Sequence, residues 1–141
     1  MEMNEEDFSQ RLMEIEYIRR ELENYISALN SLQATQDTVN KSLLGLSSLK
    51  SFSGEVLMPY SQDIFLRANV SDSSSALVNL GSNILKKVGM DELRTRLEKD
   101  SEAISKNISQ IADIIRKLQE QGGALEREAN EFYEEYRKSL K

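Results

Sequence analysis

The sequence predicts a mainly α fold with a small β module: a long antiparallel two-helix coiled coil with two β-hairpins between its helices. Three observations point there. Near the N-terminus a seven-step series runs Phe8, Ile15, Leu22, Leu29, Gln36 and Leu43, and three residues after each stand Arg11, Ile18, Tyr25, Leu32, Val39 and Leu46. Towards the C-terminus the pattern returns as Met90, Leu97, Ile104, Ile111, Leu118, Leu125 and Phe132. Four residues after each come Arg94, Ser101, Ile108, Ile115, Gly122, Ala129 and Tyr136. Between the two ladders the period breaks into short apolar runs bounded by turn residues. An apolar stripe averaging one residue in 3.5, kept up over many turns, makes a helix bury that stripe on another helix.

The first helix is expected over residues 4–50. Asn4 with Asp7 three residues on resembles a capping box, and Glu5, Glu6 and Asp7 complement the positive end of the helix dipole. Ser51-Phe52-Ser53-Gly54 supplies breakers, with the glycine as the expected C-terminal cap. The β module is expected over 55–88. Its runs EVLMPY, DIFLRANV, SALVNL and NILKKV are rich in Val, Ile, Leu and Phe, too short for helices, and separated by Ser/Gln/Asp, SDSSS and Gly81-Ser82. Pro59 cannot donate to a ladder, which places its strand at an edge or near its end. Four strands with nothing to cover them need other strands or subunits to bury their faces and edges, so this segment reads as an assembly module. Gly89-Met90-Asp91-Glu92 then opens a second helix over 90–140. Residues 1–141 read as a single subunit, whose helices would be roughly 65 and 75 Å long at 1.5 Å per residue.

Folding the ladders antiparallel, with paired residue numbers summing to 140, opposes Leu43 to Leu97, Leu29 to Ile111, Leu22 to Leu118, Ile15 to Leu125 and Phe8 to Phe132. Every partner then falls on its own ladder. Two places look weak. Gln36 faces Ile104 beside Val39 facing Ser101, and Gly122-Gly123 lies opposite Ile18. Two glycines inside a helix cost about 2 kcal/mol relative to alanine. Beyond them only Ile15–Leu125 and Phe8–Phe132 are apolar layers, because Arg11 meets Ala129. The outer end is therefore expected to fray, with Gly122 and Gly123 as its hinge.

Composition narrows the function. The 141 residues include no cysteine and no histidine, which removes thiolate chemistry and the commonest general base and metal ligand. Carboxylate pairs such as Glu5-Glu6 and Glu134-Glu135 lie on solvated helix faces with no pocket to shift their pKa values. Gly122-Gly123 lacks the Lys-Ser/Thr sequel and the preceding strand of a phosphate loop. No enzyme, cofactor or metal site is expected. The net charge of −6 is uneven: residues 1–24 carry eight acids against three arginines, and residues 119–141 six acids against four bases. Acidic ends disfavour nucleic acid, whose phosphates require clustered Lys and Arg. No apolar run reaches the length of a membrane span, and the start, MEMNEEDF, is acidic where a secretory signal is basic. A cytoplasmic protein with neither a nucleic-acid nor a membrane partner is expected.

A long helix, then VLMPYSQDIFLRANVSDSSSALVNLGSNILKKV, then a second long helix resembles the alpha-class subunit of prefoldin, in its archaeal form and its eukaryotic subunit-five relative. The likeness runs over the whole chain. Its most specific parts are Leu57-Met58-Pro59 and Val78-Asn79-Leu80-Gly81, and two hairpins rather than one mark the alpha class. Ser61 stands where a glycine is frequent and Lys87 where an acid is common, departures confined to turn and surface. The resemblance implies an ATP-independent chaperone. In that family two alpha-class and four beta-class subunits form a hetero-hexamer, their hairpins joining into an inter-subunit β-barrel. The tips of the coiled coils hold unfolded client proteins and pass them to a group II chaperonin.

The residues point to the same surface. Phe8, Leu12, Met13, Phe132, Tyr133, Tyr136 and Leu140, with Met1 and Met3, are expected to converge at the end farthest from the hairpins. Adaptable methionines and broad aromatic rings suit a partner without fixed shape. Acidic ends are expected to bias such a surface towards basic, apolar segments. Val56, Met58, Ile64, Leu66, Leu77, Val78, Leu80 and Ile84 are the candidates for the assembly core. The competing reading is a structural or tethering coiled coil that oligomerises through its hairpins.

Overall fold

The computed structural model describes residues 4–49 and 52–140. Helix α1 (Glu5–Leu49) is followed by strands β1 (Gly54–Ser61), β2 (Ile64–Val70), β3 (Ser75–Asn79) and β4 (Leu85–Gly89), and then by helix α2 (Met90–Ser139). The chain divides into two compact units. One is made of residues up to Ala34 and from Ser105 onward; the other spans Thr35–Ile104.

The first unit is an antiparallel pair of helices. Its start is the reciprocal cap that the residue types require. The Asn4 side-chain oxygen accepts the Asp7 amide at 2.8 Å, and an Asp7 carboxylate oxygen accepts the Asn4 amide at 3.3 Å. Two of the donors a helix start leaves unpaired are thereby satisfied. Burial then follows the ladder. Every one of its positions on α1, from Phe8 to Leu46, is shielded at least in part, as is every one on α2 except Tyr136. Register is set by contacts at two levels: the rings of Phe8 and Phe132 lie 4.8 Å apart, and Ile18 sits against Gly122. Both fall on the expected register. Ile15, Ile18, Ile115 and Ala129 are the buried apolar side chains of this unit.

Arg11 does not break the seam opposite Ala129. Its guanidinium reaches Glu14 at 3.2 Å and Glu128 at 3.3 Å, while Ala129 is only 6% exposed.

In the second unit side chains of the two helices also meet. Arg94 donates to the Ser47 hydroxyl at 3.2 Å, and the hydroxyl of Ser101 lies 3.3 Å from the Asn40 side-chain oxygen. The hydroxyls of Ser42, Ser47 and Ser48 donate back to carbonyls four residues earlier, which lets serines sit inside a helix without facing a partner. The helix ends at Leu49, whose carbonyl accepts the Phe52 amide at 2.9 Å. Gly54 is not the helix cap that the SFSG run suggested. It is the first residue of β1, with a φ of 131° and Val70 as its partner. The reason is distance: it lies too far past Leu49 to serve that helix.

Strands β1 and β2 pair antiparallel, as do β3 and β4, in two separate two-stranded sheets. In the first, Val56 opposes Ala68 and Met58 opposes Leu66, with a bulge between Pro59 and Ser61 before Ile64. Alternation puts Val56, Met58, Ile64, Leu66, Ala68 and Val70 on one face, which is wholly apolar. The opposite face mixes Leu57, Pro59 and Phe65 with an Arg67–Glu55 ion pair at 3.4 Å. In the second hairpin Ala76 opposes Val88, and Val88 is 2% exposed. Ser74 accepts the Met90 amide at 3.0 Å, so β4 runs into α2 with its junction tied to the loop before β3. That loop is closed by Asp72, whose carboxylate accepts both the hydroxyl and the amide of Ser74 at 2.6 and 2.9 Å. These bonds hold its pKa below the ordinary 3.8, the hydroxyl contributing most.

The β3–β4 turn has an identifiable strain. The Ile84 amide bonds to the Gly81 carbonyl at 3.0 Å, and the two central residues, Ser82 and Asn83, have φ of 51° and 60°. Positive φ at both central positions is the type I′ pattern, which favours Asn and Gly. Asn83 fits it. Ser82 does not, and left-handed backbone costs such a residue about 1 kcal/mol. Ser82→Gly therefore raises the denaturation midpoint, by about 1 kcal/mol of stability in chemical unfolding; an unchanged or lower midpoint contradicts this account of the turn.

Candidate functional site

The first unit carries an exposed apolar surface at the paired chain ends, built from the seam itself. A coiled-coil layer shields its side chains only where further layers lie on both sides of it. Among the described residues no further layer covers Phe8 and Phe132, whose rings are only partly shielded, and Tyr136 stands open beside Phe132 at a ring separation of 6.2 Å. Glu5, Phe8, Phe132, Tyr133 and Tyr136 line a groove of about 350 Å³ there.

The groove lies on one flank of the seam. In heptad terms the core residues are a and d; Glu5, Leu12 and Arg19 of α1 occupy the adjoining e positions, as do Glu126 and Tyr133 of α2, with Leu140 one residue past its end. The Arg19–Glu126 ion pair at 3.4 Å shows that the two e rows face each other. Leu12, Tyr133 and Leu140 are all exposed, Leu140 by 71%. Met13 is equally open but lies one position further round, next to the groove rather than in it. Seven of the residues expected to form this surface are thus found within one unit. Met1 and Met3, expected among them, lie outside the described residues.

Along the same flank is a second, smaller hollow of about 180 Å³, lined by Ile15, Ile18, Arg19, Leu22, Gln119, Gly122, Gly123 and Glu126. Here the two glycines differ. A Cβ on Gly122 would stand 3.3 Å from an Ile18 methyl, so glycine permits the close approach that buries Ile18. A Cβ on Gly123 would meet nothing within 4 Å. Helix α2 stays helical through both and on to Ser139.

The hairpin residues named from the sequence separate into two groups by strand alternation. Val56, Met58, Ile64 and Leu66 share the apolar face of the first hairpin. Val78 lies on the Ala76–Val88 face of the second, whereas Leu77 lies on the other face with Leu85. Leu80 and Ile84 flank the turn, joined by a bond from the Leu80 amide to the Ile84 carbonyl at 2.8 Å. Leu57, Tyr60, Phe65 and Leu85 are also exposed apolar side chains of the hairpins. The apolar runs that mark the strands also contain these four. Tyr17, on the outer face of α1, is a further exposed aromatic, and its off-ladder position was the available signal.

Catalytic or metal-binding arrangements do not emerge. Among the described residues no group of acids could hold a metal ion, and no buried polar side-chain atom lacks a partner. A hollow of about 480 Å³ in the second unit gathers Asp72, Asp91 and Glu92 with Arg94. Asp72 is already held by Ser74, and Arg94 already bonds Ser47. No helix among the described residues is long and apolar enough to cross a membrane.

Comparison with known proteins agrees with this architecture. The chain is 26% identical over 124 residues to the prefoldin subunit alpha of Thermofilum pendens, a match covering 85% of this chain and 95% of that protein. A cryo-EM structure of filamentous PFD from Methanocaldococcus jannaschii superposes with a TM-score of 0.68 at 22% identity, covering 82% of this chain and 98% of that one, which shows a shared fold. The sequence model of the prefoldin subunit family matches residues 5–135. With that match spanning both helices and both hairpins, the chain belongs to the prefoldin family.

Proposed function

We propose that this chain is a subunit of an ATP-independent chaperone that holds non-native proteins on the apolar groove at its paired chain ends. The observation that carries this reading is the unfinished seam: Phe8, Phe132, Tyr133 and Tyr136 line an open groove, with Leu12, Met13 and Leu140 exposed around it. Exposed apolar surface of this kind, rimmed by charge, marks an interaction site. Flexible methionine and leucine with flat aromatic rings adapt to clients that differ in sequence. A tether has no use for that surface. Family membership supports a chaperone role, and the two-hairpin layout supports the alpha-class place in a complex with beta-class subunits, two alpha with four beta. Delivery of clients to a group II chaperonin in the cytoplasm belongs to the same reading.

Assembly rests on the hairpins. The face of Val56, Met58, Ile64, Leu66, Ala68 and Val70 has no covering layer in its own two-stranded sheet. Other subunits' strands would bury both this face and the open edges, closing a barrel.

Three outcomes test the proposal. Light scattering from a chemically denatured enzyme is suppressed by the chain, and the triple substitution Met13→Ser, Tyr133→Ser, Leu140→Ser requires roughly tenfold more protein for equal protection, because each exposed side chain contributes contact area to the client but little to the fold. Undiminished protection by that variant, or none by the parent, removes the groove from the mechanism. Leu66→Asp leaves a helical protein of subunit mass in sizing measurements where the parent assembles with its partners; a retained complex contradicts the hairpin assignment. Gly123→Ala, which meets no neighbour, strengthens α2 by about 1 kcal/mol and slows amide exchange beyond residue 123. If the glycines act as a hinge, client protection falls in parallel; slowed exchange with full protection leaves the groove as a static site.

A further inference from the structure

The two hairpins share a plan but differ in charge. In the second, the bond between Leu80 and Ile84 extends the β3–β4 ladder by one pair. Strand alternation then sets Ala76, Val78, Leu80, Ile84, Lys86 and Val88 on one face. All are apolar except the lysine. The face is covered at one end and open at the other: Val88 is 2% exposed, whereas Leu80 and Ile84 are 54% and 62% exposed. Lys86 stands between these ends, exposed, with Val78 directly opposite. The corresponding face of the first hairpin carries no charge.

Lys86 has no acid of its own. Among the described residues it joins none of the ion pairs, and residues 75–89 contain no Asp or Glu. Its neighbour Lys87, on the opposite face, is placed differently. The Asp72 pKa, lowered chiefly by the Ser74 hydroxyl and amide, is lowered further by the Lys87 charge. A lysine on a solvated face needs no partner, but Lys86 belongs to the face that assembly covers. An ammonium taken out of water without a carboxylate is strongly destabilising.

The backbone shows from which side the cover arrives. Met90 donates to Ser74 and Leu80 donates to Ile84, so the hydrogen-bonded pairs between them are Ala76 with Val88 and Val78 with Lys86. The amides and carbonyls of Leu85 and Lys87 therefore point away from β3, along the free edge of a two-stranded sheet. A strand added there meets Lys86 in a non-hydrogen-bonded pair. Opposed side chains come closest in that arrangement, with Cβ atoms about 4.5–5.5 Å apart.

The hairpins of a second copy of this chain have no carboxylate to offer at that position. Glu55 lies on the polar face of the first hairpin, paired with Arg67, and Asp63 lies in the β1–β2 turn. Copies joined through β4 would set lysines beside lysines, which is destabilising for directly opposed like charges.

We infer that the free edge of β4 is specific for a strand of a different subunit that carries an Asp or Glu beside Lys86. This rests on the reading of the hairpins as an assembly module and adds a rule of partner choice to it. The apolar face of the first hairpin supplies adhesion. Lys86 admits an acidic strand and turns away the chain's own copies.

The test uses the complex of the full chain with co-expressed beta-class subunits. A carbodiimide joins an ammonium to a touching carboxylate with loss of water, and it links Lys86 to an Asp or Glu of the other subunit, as read by mass spectrometry of the digested complex. Lys86→Met keeps its circular dichroism but weakens the complex about thirtyfold on dilution, because the partner's carboxylate loses its cation. Lys86→Arg, which restores the charge, keeps the parent affinity. If Lys86→Met assembles as tightly as the parent, the ammonium reaches water along its flexible stem, and the inference falls while hairpin assembly stands. A link from Lys86 to a second copy of this chain, or no link from Lys86 in the assembled complex, overturns it equally. If the parent forms no complex at all, the hairpin reading fails and this inference with it.

Discussion

The seam between the two helices is the constraint on which everything else depends. A pair of helices has no interior beyond the row of side chains between them, so each layer must be filled by residues arriving at the heptad spacing from both strands of the pair. Ile15, Ile18, Ile115 and Ala129 are buried, and most other ladder side chains are only partly covered. Stability comes from many modest layers, none of which dominates. Such a structure tolerates defects, and it also cannot hide its last layer. The aromatic residues at the paired ends are exposed for the same geometric reason that the layers before them are shielded.

Two of the apparent defects are accommodated in ways that single residues do not reveal. Arg11 in a core position is accommodated because its charge is met by Glu14 and Glu128, and Ala129 is buried. Gly122 is harmless because Ile18 moves into the space a side chain would take. The helix pays its conformational cost at this point and gains a tight contact on one glycine. It also gains an open hollow on the other. One dipeptide thus accompanies both a close approach and an open hollow.

The hairpins solve a different problem. Two-stranded sheets have two edges and two faces to satisfy, and a single chain covers little of this surface. The first hairpin segregates its residues cleanly, with six apolar side chains on one face and an ion pair on the other. The second buries Val88 and fixes its strand to the start of α2 through Met90 and Ser74. That face of the first hairpin has no covering layer in its own sheet, whereas the junction of the second with the helix is tied within the chain.

By itself the sequence determined the helices, their antiparallel pairing and its register, and the presence of two hairpins. Heptad spacing and period-2 alternation are consequences of backbone geometry, so Phe8 opposite Phe132 and Ile18 opposite Gly122 could be read from numbers alone. Leu12, Met13, Tyr133 and Leu140, which stand off the ladder, are exposed as their positions imply. Tertiary structure alone decided which flank opens, that Leu77 and Val78 part company across a strand, that Gly54 belongs to a sheet, and that Arg11 finds two carboxylates. Each of these depends on distances between side chains remote in the sequence, or on where one element gives way to the next. Periodicity says which side of a helix faces its neighbour; only the packed pair shows what space is left between them.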